Sequence, residues 1–180
     1  MEHYGELVVA YVREHHEWAA PIAFVLSFLE SIAFFSFFIP AWAALIGIGA
    51  LVGASGLPLL PVWLAAAIGA ALGDWVSYWI GYKFKEPITR VWPLSRHPDL
   101  VLHGQAFVRK WGVLAIFIGR FFGPMRASVP LIAGILQMPY LTFQIVNFIS
   151  AFVWAWALLV FGDVVSSALA GLANFTSLQE

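Results

Sequence analysis

The chain contains no cysteine and very little charge. Without cysteine it has no disulfide framework, no thiolate metal ligand and no thiol nucleophile. Asp, Glu, Lys and Arg make up 11% of its 180 residues, where soluble domains carry about 25%. Hydrophobic residues make up 62% and mean hydropathy is +0.86, an apolar excess that no core of this size can hide. The bilayer has to be the solvent, and the expected class is an all-α polytopic membrane protein. The nine tryptophans agree, because indole rings favour the membrane–water interface. A net charge of −1 singles out no partner class.

A cleavable leader is also lacking from the pattern. Glu2, Glu6, Glu14 and Glu17 stand against Arg13, the wrong sign for a signal n-region. Tyr4, Leu7, Val8, Tyr11 and Trp18 recur at helical spacing and predict an interfacial helix over 1–19.

What is present is four long apolar stretches. The first, about 20–57, is interrupted by Pro40, and the second, about 62–82, suffices for one span of roughly 20 residues. The third, about 113–138, is interrupted by Pro124 and Pro130, and the fourth, about 140–161, is again one span. A shorter apolar tail, 164–175, predicts a packed or partly inserted helix. Between the second and third stretches, 83–110 holds Lys83, Lys85, Arg90, Arg96, Arg109 and Lys110, six of the nine basic residues. Short Lys/Arg-rich loops stay in the cytoplasm, so this loop is expected there.

The interrupted stretches are longer than one crossing, and each half is short for a crossing of its own. Proline removes a backbone donor and clashes with the preceding turn, and non-helical backbone at membrane depth survives only inside protein or beside a wet cavity. With helix breaks at Pro40, Pro124 and Pro130, the pattern predicts two re-entrant helical hairpins, each followed by a transmembrane helix. With the basic loop inside, the two halves form an inverted repeat, as in many secondary transporters. Two kinked helices without repeat symmetry are the plainer alternative. Gly49-x3-Gly53 and Gly69-x3-Gly73 read as helix-packing sites.

Five ionisable residues lie in or beside apolar segments: Glu30, Asp74, Arg120, Arg126 and Asp163. A charge at mid-membrane costs roughly 2.5–3.5 kcal/mol on insertion scales, which demands pairing or water. Asp163, at the end of a span, reads as interfacial. Arg120 and Arg126 flank Gly123-Pro124, and their planar forks match phosphate, so they are the candidate anion-binding pair. Backbone N–H groups freed at the break would add to that site. Glu30 and Asp74 are candidates for proton coupling or for charge pairing with the arginines.

The residues Gly119-Arg120-Phe121-Phe122-Gly123-Pro124-Met125-Arg126, followed by Val129-Pro130-Leu131, Ala133-Gly134 and Met138, resemble the arginine motif of the DedA family, also described by its VTT or SNARE-associated-Golgi-type domain. Phe143, Asn147 and Trp154 follow at matching places. Gly73-Asp74 with Tyr78 and Gly81 is similar to the family's glycine–aspartate helix, and Glu30 before Phe38-Ile39-Pro40 to its first acidic motif. Many relatives carry Gly or Ser and then an acid after that proline, where Ala41-Trp42 stand here. Half of the family's acidic pair is therefore absent, and proton coupling stays open.

The resemblance covers about 25–165 and implies facing re-entrant hairpins in the bacterial cytoplasmic membrane. It also implies movement of phospholipid or a lipid-carrier phosphate such as undecaprenyl phosphate between leaflets, with Asn147 joining Arg120 and Arg126 in substrate binding. The chain then divides into an N-terminal interfacial helix (1–19), a DedA-like membrane domain (20–163) containing the basic loop 83–110, and an apolar tail (164–180). Expected partners are membrane lipids, through an anionic phosphate head group, and a homo-oligomer is an open expectation; nucleic acid is not expected.

Two other classes compete with a flippase- or scramblase-type transporter. A structural or assembly protein would use the charge pairs only to fix packing. An intramembrane lipid phosphatase would need an activated nucleophile or metal ligands. His3, His15, His16, His97 and His103 all lie outside the apolar segments and have no carboxylate cluster beside them. The expectation is therefore no enzyme, no cofactor and no metal.

Overall fold

The computed structural model describes residues 14–32, 41–85, 87 and 98–177. Seven α-helices lie among them: α1 (Ala19–Ser31), α2 (Ala41–Ser55), α3 (Leu59–Phe84), α4 (Pro98–Trp111), α5 (Leu114–Gly119), α6 (Gly123–Ile135) and α7 (Tyr140–Ser177). A 3-10 turn at His16–Trp18 leads into α1. The expected interfacial helix over 1–19 and the break at Pro40 lie mostly or wholly outside the described residues.

Proline marks where helices start. Pro58 caps α3, Pro139 precedes α7, Pro98 opens α4 and Pro124 lies in the first turn of α6. In a first turn the missing N–H would be unpaired anyway, and the fixed φ suits the helix. α3 and α7 are long and apolar enough to cross a bilayer, the latter over 140–168. The 26 residues of α3 give about 39 Å at 1.5 Å per residue, more than the roughly 30 Å hydrocarbon core.

Two sequence expectations are corrected. The third apolar stretch breaks at Phe121–Phe122, where Phe122 is extended (φ −106°, ψ 107°). Pro130 does not break the chain: it sits inside α6, where the helix loses one hydrogen bond and is held instead by packing on α3 and α4. The C-terminal tail is no separate element either, because α7 runs unbroken through Gly162 and Asp163 to Ser177. The basic segment also holds structure that its polarity concealed: α4 covers 98–111, with Val101 and Val108 buried while Leu102, Arg109 and Lys110 are exposed.

Small residues set the packing. α3 buries Ala66, Ala67, Gly69, Ala70, Ala71 and Gly73, and α1 lies against the side that carries the two glycines. A methyl group added at Gly69 or Gly73 would strike the Phe24 or Phe28 carbonyl oxygen of α1. The remaining major contacts cross between the two halves of the chain: α6 packs on α3, and α2 packs on α7. At the first, Gly81 lies against the Leu131 carbonyl and Gly134 against that of Tyr78. At the second, Gly162 lies against the Ile46 carbonyl and Gly49 against that of Leu159. In each crossing a glycine meets the carbonyl three residues before its partner glycine. Backbones this close replace the hydrophobic effect with van der Waals contact in lipid.

Candidate functional site

Four of the five ionisable residues singled out in the apolar segments, Glu30, Asp74, Arg120 and Arg126, are buried, and so is Asn147. They come from four helices and the bend between α5 and α6. Arg120 follows the last residue of α5 and Arg126 lies in the first turns of α6, so the break at Phe121–Phe122 separates them and sets their directions independently. Six helical steps would have placed them on different faces.

Arg120 turns into the α3–α7 crevice. Its Nη2 pairs with Asp74 Oδ2 and donates to Asn147 Oδ1 at 2.6 Å, while its Nε donates to Ser150 Oγ at 3.0 Å. Asn147 is fixed in orientation, because its Nδ2 donates to the Ala71 carbonyl at 2.9 Å and to Gln144 Oε1 at 3.3 Å. Its oxygen is thereby turned to the guanidinium. Arg126 turns toward α1. Its Nη1 lies 2.6 Å from Glu30 Oε1, its Nη2 donates to Ser31 Oγ at 3.1 Å, and its guanidinium carbon stands 3.9 Å from the centre of the Trp154 ring. Ser77, one turn beyond Asp74, donates to the Ser31 carbonyl at 3.1 Å and ties the two clusters together.

The pairing leaves capacity over. Arg120 Nη1, Arg126 Nε and Asp74 Oδ1 are buried and have no hydrogen-bond partner among the described residues. A buried donor without a partner costs roughly 1–3 kcal/mol, so the seam holds guanidinium N–H groups for which a further acceptor would be favourable.

The fifth ionisable residue falls elsewhere. Asp163 is partly buried beside Gly53 at the α2–α7 crossing, away from the arginine ligands. Phe121 and Phe122 are exposed at the bend, and the side chain of Trp42 lies outside the described residues. Sequence reasoning missed Ser31, Ser77, Ser150 and Gln144. The signal for one of them was present: Ser150 follows Asn147 by three positions on one face of α7, toward Trp154 four positions further on.

The VTT domain family profile matches 39–164. Inner membrane protein YabI of Escherichia coli is 35% identical over 130 residues, covering 72% of this chain and 51% of that protein. An uncharacterized membrane protein of Buchnera aphidicola (subsp. Baizongia pistaciae) is 28% identical over 166 residues, 92% of this chain and 65% of its own length. Inner membrane protein YghB of E. coli is 28% identical over 149 residues, 81% of this chain and 67% of its own. The chain thus spans about half the length of YabI. No solved structure matches it. With the profile covering most of the helical bundle and both arginines inside the matched region, the chain belongs to the VTT-domain (DedA) family of bacterial membrane proteins.

Proposed function

We propose that this protein moves an anionic lipid, a phospholipid or a lipid-carrier phosphate of the undecaprenyl phosphate type, between the leaflets of the bacterial cytoplasmic membrane. The observation that carries the reading is the pair of buried arginines at a helix break, each with a guanidinium nitrogen still unmatched among the described residues. A phosphate entering the seam would offer its oxygens to Arg120 Nη1 and Arg126 Nε. It would compete with Asp74 and Glu30 for the remaining donors, and the acids would be released to take up a proton or to re-pair as the head group leaves. Acyl or prenyl tails would stay in the bilayer.

The reading includes two re-entrant hairpins, α1–α2 and α5–α6, followed by α3 and α7 in inverted arrangement. Its support is the reciprocal glycine crossing, repeated with the same three-residue offset where α6 meets α3 and where α2 meets α7. It also holds that the protein is a transporter and no enzyme, since the seam residues are arginines, single carboxylates, serines and amides.

A structural role for the charges has an observation of its own, since each arginine already has an acid partner. The experiment that separates the two reconstitutes purified wild type, Arg120→Lys and Arg126→Lys in liposomes carrying dithionite-quenchable lipids or labelled undecaprenyl phosphate. Transport lost in folded lysine variants supports the anion seam, because an ammonium cannot reproduce the bidentate fork. Transport retained by folded Arg→Ala variants at both positions leaves only the structural role.

A further inference from the structure

Away from the seam, a cavity of about 470 Å³ opens where α3 and α6 end and α4 passes beside them. Its size falls within the about 300–1,000 Å³ range of small-molecule sites. Lys85 and Arg109 bring two cations to it, neither of which forms an ion pair among the described residues. Gln105 lies one turn before Arg109 on the same face of α4, Gln137 lines the cavity just past the end of α6, and Ile135 and Leu136 form an apolar wall.

A second observation points at the same place. Among the described residues, the non-glycine residues with left-handed backbone are Lys85 (φ 52°) and Gln137 (φ 55°), and both line this cavity. Gln137 ends α6 in a turn where its N–H donates to the Gly134 carbonyl at 2.9 Å and that of Met138 to the Ala133 carbonyl at 3.0 Å. Glycine is the residue that suits that position, because it carries no Cβ to clash. Strained backbone concentrates where side chains serve a site, and here both residues with positive φ carry a hydrogen-bond donor and line one cavity.

We propose that this cavity is a docking site for a phosphate monoester, built separately from the arginine seam. Two cations match the near-dianionic charge of a monoester at neutral pH. The Arg109 fork and the two amides supply directed donors to its oxygens, and the Ile135–Leu136 wall accommodates an attached chain. The phosphate group is the shared chemistry, whether it is borne by a lipid or free.

The test titrates the purified full chain with short-chain phosphatidic acid, with short-chain phosphatidylcholine and with inorganic phosphate, by calorimetry. Phosphatidic acid should bind and phosphatidylcholine should not. K85Q/R109Q should weaken phosphatidic acid binding by about ten-fold or more, as expected for loss of charged hydrogen bonds. K83Q/K110Q removes the same charge from residues seated over Trp79 and Trp111 instead, and should bind as wild type. Q137G should melt at or above the wild-type temperature and still bind more weakly. Inorganic phosphate matching phosphatidic acid in affinity identifies the free anion as ligand, and a clear advantage for the lipid identifies the lipid. Equal losses in the two double variants, or wild-type affinity in both K85Q/R109Q and Q137G, would overturn the proposal. Arg126→Lys serves as the outside reference: binding lost there but kept in K85Q/R109Q would place the phosphate in the seam and not here.

Discussion

The two buried arginines are six residues apart and are held in different ways. Arg120 is surrounded by acceptors from both sides of a crevice: Asp74 from α3, and Asn147 and Ser150 from α7. Arg126 has one acid, one serine hydroxyl and the face of Trp154, which attracts a cation and accepts no hydrogen bond along the guanidinium edge. A guanidinium bound edge-on by several fixed acceptors is expensive to move. One stacked on an indole keeps its edge available, because the aromatic face steadies it without consuming donors. Arg120 is therefore expected to carry the greater share of bundle stability, and Arg126, on the proposed function, the greater share of ligand exchange.

The largest expected effect breaks the Arg120 side. Arg120→Met would strand Asp74, Asn147 and Ser150 in the interior, and removing one member of a buried ion pair destabilises by about 3–5 kcal/mol. The double variant D74N/R120M should recover most of that loss in a detergent melting assay, because no unpaired charge remains. If the single variant melts like wild type, Arg120 is not the anchor. Next in size is the effect on transport at Arg126. Arg126→Lys keeps a cation opposite Glu30 and should stay folded, but liposome transport should fall about ten-fold or more through loss of the fork. Equal stability losses in Arg120→Lys and Arg126→Lys would erase the distinction between the two sites.

An intermediate effect is expected at Trp154. Trp154→Leu removes the ring beneath Arg126 and leaves every Arg120 contact in place. A desolvated cation–π contact is worth about 2 kcal/mol, so Arg126 should lose position while Arg120 keeps it. Transport should then drop more than thermal stability does. A variant that melts early and transports normally when folded would show that Trp154 serves the bundle only.

Much of the seam was legible before any coordinates. Charges in apolar segments have few explanations, so Glu30, Asp74, Arg120 and Arg126 stood out by cost alone. Asn147 and Trp154 came from the family resemblance, since an isolated amide or indole in a span has several uses. Ser31 and Ser77 were illegible because serine in a membrane helix is also an ordinary small packing residue, and nothing local distinguishes them from that use. Proline marks the bend only approximately, because Pro124 fits a helix start and the rupture falls on the two phenylalanines before it. The continuity of α7 through Gly162 and Asp163 was hidden by a glycine and a charge that usually end a helix. Gly162 there serves the close crossing with α2 instead. The left-handed backbone of Lys85 and Gln137 left no trace either, since neither is the glycine that such positions favour.

The smallest effect sharpens the comparison furthest from the charges. Gln144 donates to Tyr140 Oη at 3.1 Å and accepts from Asn147 Nδ2 at 3.3 Å. The polar line therefore runs from the exposed start of α7 to Asn147 and on to Arg120 Nη2. Every donor on this line points away from Arg120, which keeps the Asn147 oxygen facing the guanidinium. Gln144→Leu would remove two hydrogen bonds, of which the exposed one to Tyr140 is replaced by water and the part-buried one costs about 0.5–1.5 kcal/mol, while Asn147 Nδ2 retains the Ala71 carbonyl. The melting temperature should fall slightly, and less than in Asn147→Leu, which also strands an Arg120 donor. Transport should follow stability in Gln144→Leu, because Arg126 is untouched. A Gln144→Leu variant that keeps its melting temperature but loses transport would mean that the polar line of α7 handles the head group itself, and the division of labour between the two arginines would have to include it.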